Sequence, residues 1–87
     1  MHAVVINVTL NDRPGVDAEL STLVPQVAAA PGFVAAYWVA LSEEKGASIV
    51  VFDSEQAAQG LAAVAAAAPG GPVTTNSIEV GEVIAHA

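Results

Sequence analysis

The chain has 87 residues, enough for one domain, and a formal net charge of −7 with only two basic residues. Arg13 and Lys45 are too few to neutralise a run of phosphates, which excludes nucleic acid and anionic membrane surfaces as partners. The absence of cysteine removes disulfides, thiolate nucleophiles and zinc–thiolate sites, and no apolar stretch is long enough to span a bilayer or to act as a leader, so a cytoplasmic location is expected.

Residues 3–10 predict strand 1. Val4, Ile6, Val8 and Leu10 share one face by the period-two rule and are expected to meet the helices; Val5, Asn7 and Thr9 share the other. Asn11-Asp12-Arg13-Pro14-Gly15 is a turn, with Arg13 expected to pair with Asp12 or Asp17. Helix 1 is expected to start between Pro14 and Asp17. Its apolar stripe is Val16, Leu20, Leu23 and Val27, and Pro25 kinks it or marks its last turn. Pro31-Gly32 ends the segment.

Residues 33–41 and 47–52 are apolar, rich in aromatic and β-branched side chains, and read as strands 2 and 3 of a long hairpin. Residues 42–46 form its solvated tip, where Gly46 supplies a positive φ. Asp53 or Ser54 caps helix 2, and Glu55 lies in its first turn. Ala57, Ala58, Leu61, Ala62, Val64 and Ala65 form a broad, shallow apolar side, and Pro69-Gly70-Gly71-Pro72 stops the helix. Strand 4 falls within residues 73–84, with a bulge at Gly81, and His86-Ala87 is a frayed tail.

The order β-α-β-β-α-β predicts a ferredoxin-like α+β fold: a four-stranded antiparallel sheet, order 4-1-3-2, with both helices on one face. Right-handed crossovers are expected to set strands 1 and 3 side by side and parallel. The helices offer mainly alanine and valine, so the bulkier set of strand 2 (Phe33, Ala35, Tyr37, Val39 and Leu41) is expected to face them. Val34, Ala36, Trp38 and Ala40 then join Val5, Asn7, Val50 and Phe52 on the open face. An apolar open face, and a composition that is 54% hydrophobic in so short a chain, point to a homodimer packed sheet to sheet.

The segment Pro31-Gly32-Phe33-Val34, followed by Ile49-Val50-Val51-Phe52-Asp53-Ser54-Glu55-Gln56-Ala57-Ala58, resembles the dimeric α+β barrel proteins, in the antibiotic-biosynthesis-monooxygenase branch. There a "PGF" or "PGY" turn opens strand 2, and an aromatic-acid-serine-acid sequence leads into helix 2. The resemblance implies a small hydrophobic ligand in an apolar lumen and an activity, if there is one, like that of the cofactor-independent oxygenases. Asn7 is the implied catalytic residue, placing the substrate. The haem-degrading members use an Asn on strand 1, a Trp at the end of strand 3 and a haem-ligating His near helix 2. Asn7 matches the first, Phe52 stands in place of the Trp, and no histidine lies between His2 and His86, so no cofactor is expected. A second resemblance lies in Asn11-Asp12-Arg13-Pro14-Gly15-Val16, which is similar to the "DRPG" turn of ACT domains. It implies a non-enzymatic, amino-acid-sensing or purely associative module instead.

The candidate ligand-binding set is therefore Asn7, Tyr37, Trp38 and Phe52. The same residues also read as a dimer hydrogen bond (Asn7) and as core or interface aromatics. His2 and His86, on neighbouring strand ends with no carboxylate expected nearby, do not make a metal site. No Ser-His-acid set and no phosphate-binding glycine loop can be assembled.

Overall fold

The computed structural model describes residues 1–68 and 71–87. The elements are β1 (His2–Leu10), α1 (Arg13–Ala28), β2 (Phe33–Ala40), β3 (Lys45–Phe52), α2 (Glu55–Ala67) and β4 (Val73–Glu82). They form one four-stranded sheet in the order β2-β3-β1-β4, which is the expected ferredoxin-like arrangement. The central pair corrects one expectation. β1 and β3 are antiparallel, as are all three strand pairs. Each crossover joins strands with one strand inserted between them, so the parallel relation belongs to β1 with β2 and to β3 with β4, not to neighbours.

α1 begins at Arg13 with proline in its first turn, and it runs through Pro25 to Ala28. The proline lacks a donor, but its carbonyl still accepts from the Ala29 N–H at 3.1 Å, so the last turn closes. α2 is capped by Ser54, whose hydroxyl accepts from the Ala57 N–H at 3.2 Å. The expected stop at Pro69-Gly70 lies outside the described residues.

Gly32 is the glycine that the turn before β2 requires. Its φ is +82°, and a Cβ there would lie 2.5 Å from Asp53 Oδ1. The Gly32 carbonyl also accepts from the Asp53 N–H at 2.8 Å, which ties the start of β2 to the entry of α2. Gly46 departs from its expected role. It has no positive φ and lies inside β3, and the hairpin tip is instead closed by the Ser42 hydroxyl, which accepts from the Lys45 N–H at 3.1 Å. The bulge of β4 also moves: Gly81 pairs with Ala3 in register, and the extra residue is Asn76, between Thr75 and Ser77.

Cross-strand partners share a face, and this fixes which side chains meet the helices. Four rows cross the sheet from β2 to β4 on that side: Phe33–Phe52–His2–Glu82, Ala36–Val50–Val4–Val80, Trp38–Ser48–Ile6–Ile78 and Ala40–Gly46–Val8–Thr75. The strand 1 expectation holds. Those for strands 2 and 3 are reversed: Val50 and Phe52 are 2% and 1% exposed in a core with Val4, Val27 and Ala58, and Ala36 and Trp38 pack against that core. Two physical causes produce the reversal. Val4 pairs with Val50, so the two cannot lie on opposite faces. Val34 is an extra residue between Phe33 and Ala35, so Phe33 stays on the helix side while Tyr37 leaves it.

Candidate functional site

The helix-covered face is unevenly filled. At the first two rows, Phe33 and Phe52 meet edge to face with ring centroids 6.4 Å apart, and Val27 and Ala58 close over Val4 and Val50. At the last two rows the sheet offers Ser48, Ala40 and Gly46, which have little side-chain volume. α1 meets the sheet chiefly along β2, whereas α2 lies over β1, β3 and β4. Leu20 and Leu23 of the helical stripe therefore stand over small residues, whereas Val27 belongs to the packed end. What remains is a cavity of about 540 Å³. Its floor is Trp38, Ser48, Gly46, Ile6 and Val8, one wall is the α1 stripe, and the other is Leu61, Val64 and Ala65 of α2. This volume falls within the ordinary range of small-molecule sites.

Gly46 is buried and closely packed. A Cβ there would lie 3.2–3.3 Å from Leu10, Val8 and the Val39 carbonyl, so any side chain at this part of the floor would push its neighbours by a few tenths of an ångström. The rim carries Arg13, Asp17 and Glu19. Arg13 Nε donates to Asp17 Oδ1 at 3.4 Å, one of its two expected partners. No His, Met or Tyr lines the cavity among the described residues.

The residues singled out in the sequence do not converge. Trp38 lines this cavity, and Phe52 is sealed in the packed end and touches only a shallow groove beside the Pro31-Gly32 turn. Asn7 and Tyr37 lie on the opposite face, and Asn7 Nδ2 donates to Ser77 Oγ at 3.1 Å. That bond belongs to a series stitching β1 to β4, with Asn76 donating to Thr9 at 3.0 Å and Asn11 to Thr74 at 2.8 Å. The open face is apolar over only part of its width, through Ala35, Tyr37 and Val39 of β2, Ala47, Ile49 and Val51 of β3, and the expected Val5 of β1; toward β4 it carries Asn7, Thr9, Ser77 and Glu79. His2 does have a carboxylate at hand, since its Nε2 lies 3.3 Å from Glu55 Oε2, and His86 is exposed beyond β4. No cluster of three or more His, Asp or Glu forms among the described residues.

Ser48 was not singled out from the sequence. Its signal was available: it is the one polar residue between the tip and Asp53 in an otherwise apolar strand. The α1 stripe was identified as a packing surface and serves as a cavity wall.

No protein-family model matches the sequence, and no curated protein is similar to it. An arginine-to-serine mutant of MhuD, with two manganese protoporphyrin IX bound per active site, superposes with a TM-score of 0.69 at 22% identity over 98% of this chain and 97% of that one. The haem-degrader MhuD from Mycobacterium tuberculosis, with two haems bound in its active site, superposes with a TM-score of 0.67 at 22% identity over 98% of both chains. The chain shares the ferredoxin-like α+β fold of these proteins. The likeness in fold runs over nearly the whole chain, beyond the Pro31-Gly32-Phe33 turn and the entry to α2. Among the described residues, no helix of the protomer is long and apolar enough to cross a membrane.

Proposed function

We propose that this protein binds a small hydrophobic molecule in the cavity between its sheet and its helices. The observation that carries this reading is the 540 Å³ space walled by Leu20, Leu23 and Leu61 and floored by Trp38. An apolar-lined recess of this size is the usual setting of a small-molecule site. MhuD, with the same fold, holds porphyrins, which supports a ligand site in this architecture. The residues here do not fit a metalloporphyrin. Haem iron takes a His, Cys, Met or Tyr ligand, and none of these lines the cavity among the described residues. The proposed ligand is metal-free, and the protein is proposed to act in the cytoplasm.

Phenylnaphthylamine, a neutral dye that brightens in apolar surroundings, tests the reading. Saturable brightening at one dye per chain is expected, with quenching of Trp38, the single tryptophan. No saturable signal would overturn it. Haemin is expected to give no sharp Soret shift at one per chain. A shift that survives replacement of both His2 and His86 would contradict the misfit.

A second reading concerns the open face, where Tyr37, Val39 and Ile49 are 66%, 44% and 41% exposed. Apolar sheet surface of this kind favours a partner, and we propose a second copy of this chain. A catalytic role for Asn7, with Tyr37 beside the ligand, would belong to a chamber formed there and not to the helix-side cavity. Light scattering should report a dimer that Ile49→Asp converts to a folded monomer. A monomeric wild type would remove this reading and leave the first intact.

A further inference from the structure

We infer that the middle of α1 is a strap over the cavity: it is fixed at both ends, stands off the sheet while the site is empty and closes on an occupant. The inference rests on the binding reading above and concerns how that site opens and shuts. Two residues of α1 are buried, Val16 in its first turn and Val27 in its last. Between them Leu20 is half-buried and every other residue is exposed, including Leu23 and Val24. Leu20 and Leu23 are nevertheless cavity wall. The helix is thus packed at its ends and slack where it spans the space.

Its hydrogen bonds follow the same pattern. At the start, the Asn11 and Asp12 N–H groups both donate to the Pro72 carbonyl, at 2.8 and 3.2 Å. At the end, the Ala30 N–H donates to the Val27 carbonyl at 3.1 Å, and the Phe33 N–H donates to the Ala30 carbonyl at 3.2 Å, which leads into β2. Among the described residues, the side-chain hydrogen bonds of α1 run from Arg13 to Asp17 and from Ser21 to the Ala18 carbonyl, both within the helix. None ties the middle to the sheet or to α2. Pro25 supplies the hinge, because it has no N–H for the Ser21 carbonyl one turn back and the helix lacks a rung just before its last turn. The opposite wall is built differently: Ala58 of α2 is fully buried, and that helix lies over three strands. A segment with few buried contacts opens locally at low cost, and an occupant that packs against Leu20 and Leu23 shifts it toward the closed form.

Hydrogen exchange of the intact chain, read amide by amide by NMR, tests the strap. Without ligand, the amides of residues 20–24 should be protected at least about tenfold less than those of residues 59–65 in α2. Saturating phenylnaphthylamine should remove most of that gap. Pro25→Ala restores the missing donor, and it should slow the ligand-free exchange of residues 20–24 about fivefold while leaving residues 59–65 unchanged. Equal protection of the two helices without ligand, fast exchange of residues 20–24 that persists in the dye-saturated protein, or no slowing in Pro25→Ala would each overturn the inference and leave the cavity a ligand site. Failure of the dye to bind would overturn the binding reading instead, and the closing step with it.

Discussion

Phe52, Val50 and Val4 at one end of the sheet are sealed by Val27 and Ala58, and Phe33 packs edge to face against Phe52. Two rows further on, the same strands carry Ser48, Ala40 and Gly46 beneath Leu20 and Leu23, and the space between them stays open. Strands and helices are common to both ends, so the difference lies in side-chain volume. Where phenylalanine and valine rise from the sheet, small helix residues suffice to close the layer. Where glycine, alanine and serine rise, leucines on the helix do not reach them. One end stabilises the fold, and the other provides room.

The largest expected effect sharpens this contrast through truncation. Phe52→Ala should cost about 3–5 kcal/mol of unfolding free energy, because a filled site is emptied. Leu20→Ala, on the hollow end, should cost only about 1 kcal/mol, since the side chain already lacks atoms on one side. Urea denaturation of both variants decides, and equal losses would mean that the two ends are packed alike.

Enlargement should have opposite signs at the two ends. Val4→Phe should destabilise by about 1–3 kcal/mol through overpacking. Ser48→Val should stabilise by about 1 kcal/mol by burying more apolar surface, and should weaken dye binding. A destabilised Ser48→Val protein would show that the floor is already full.

The smallest effect is at the entry to α2. Ser54→Ala removes the cap bond to Ala57 and should cost about 1 kcal/mol by thermal denaturation, without changing dye affinity. A change in affinity comparable to that at Ser48 would tie the cavity to the α2 entry and weaken the separation of the two ends.

Much of the fold was legible in the sequence because its signals are local. Pro31-Gly32, Ser54 and the period of Val4, Ile6, Val8 and Leu10 each act within a few residues. The site was not legible, because it depends on register. Val34, one inserted residue, decides whether Trp38 or Tyr37 faces the helices, and β2 is apolar at every position, so alternation is silent about the choice. Side-chain bulk is no guide to the facing either, since the helix layer is not filled throughout. Gly46 was read as a turn residue because glycine in a hairpin usually is one, and only its contacts with Val8 and Leu10 show it to be floor.

Methyl-detected NMR with a saturating apolar ligand tests the hollow end most directly. The expected result is large shifts for the methyls of Val8, Leu10, Leu20 and Leu23, with those of Val4 nearly unmoved and those of Val5, Ile49 and Val51 on the opposite face silent. Shifts confined to Val5, Ile49 and Val51, with none at Leu20 or Leu23, would place the ligand on the open face and contradict a cavity site between the sheet and the helices.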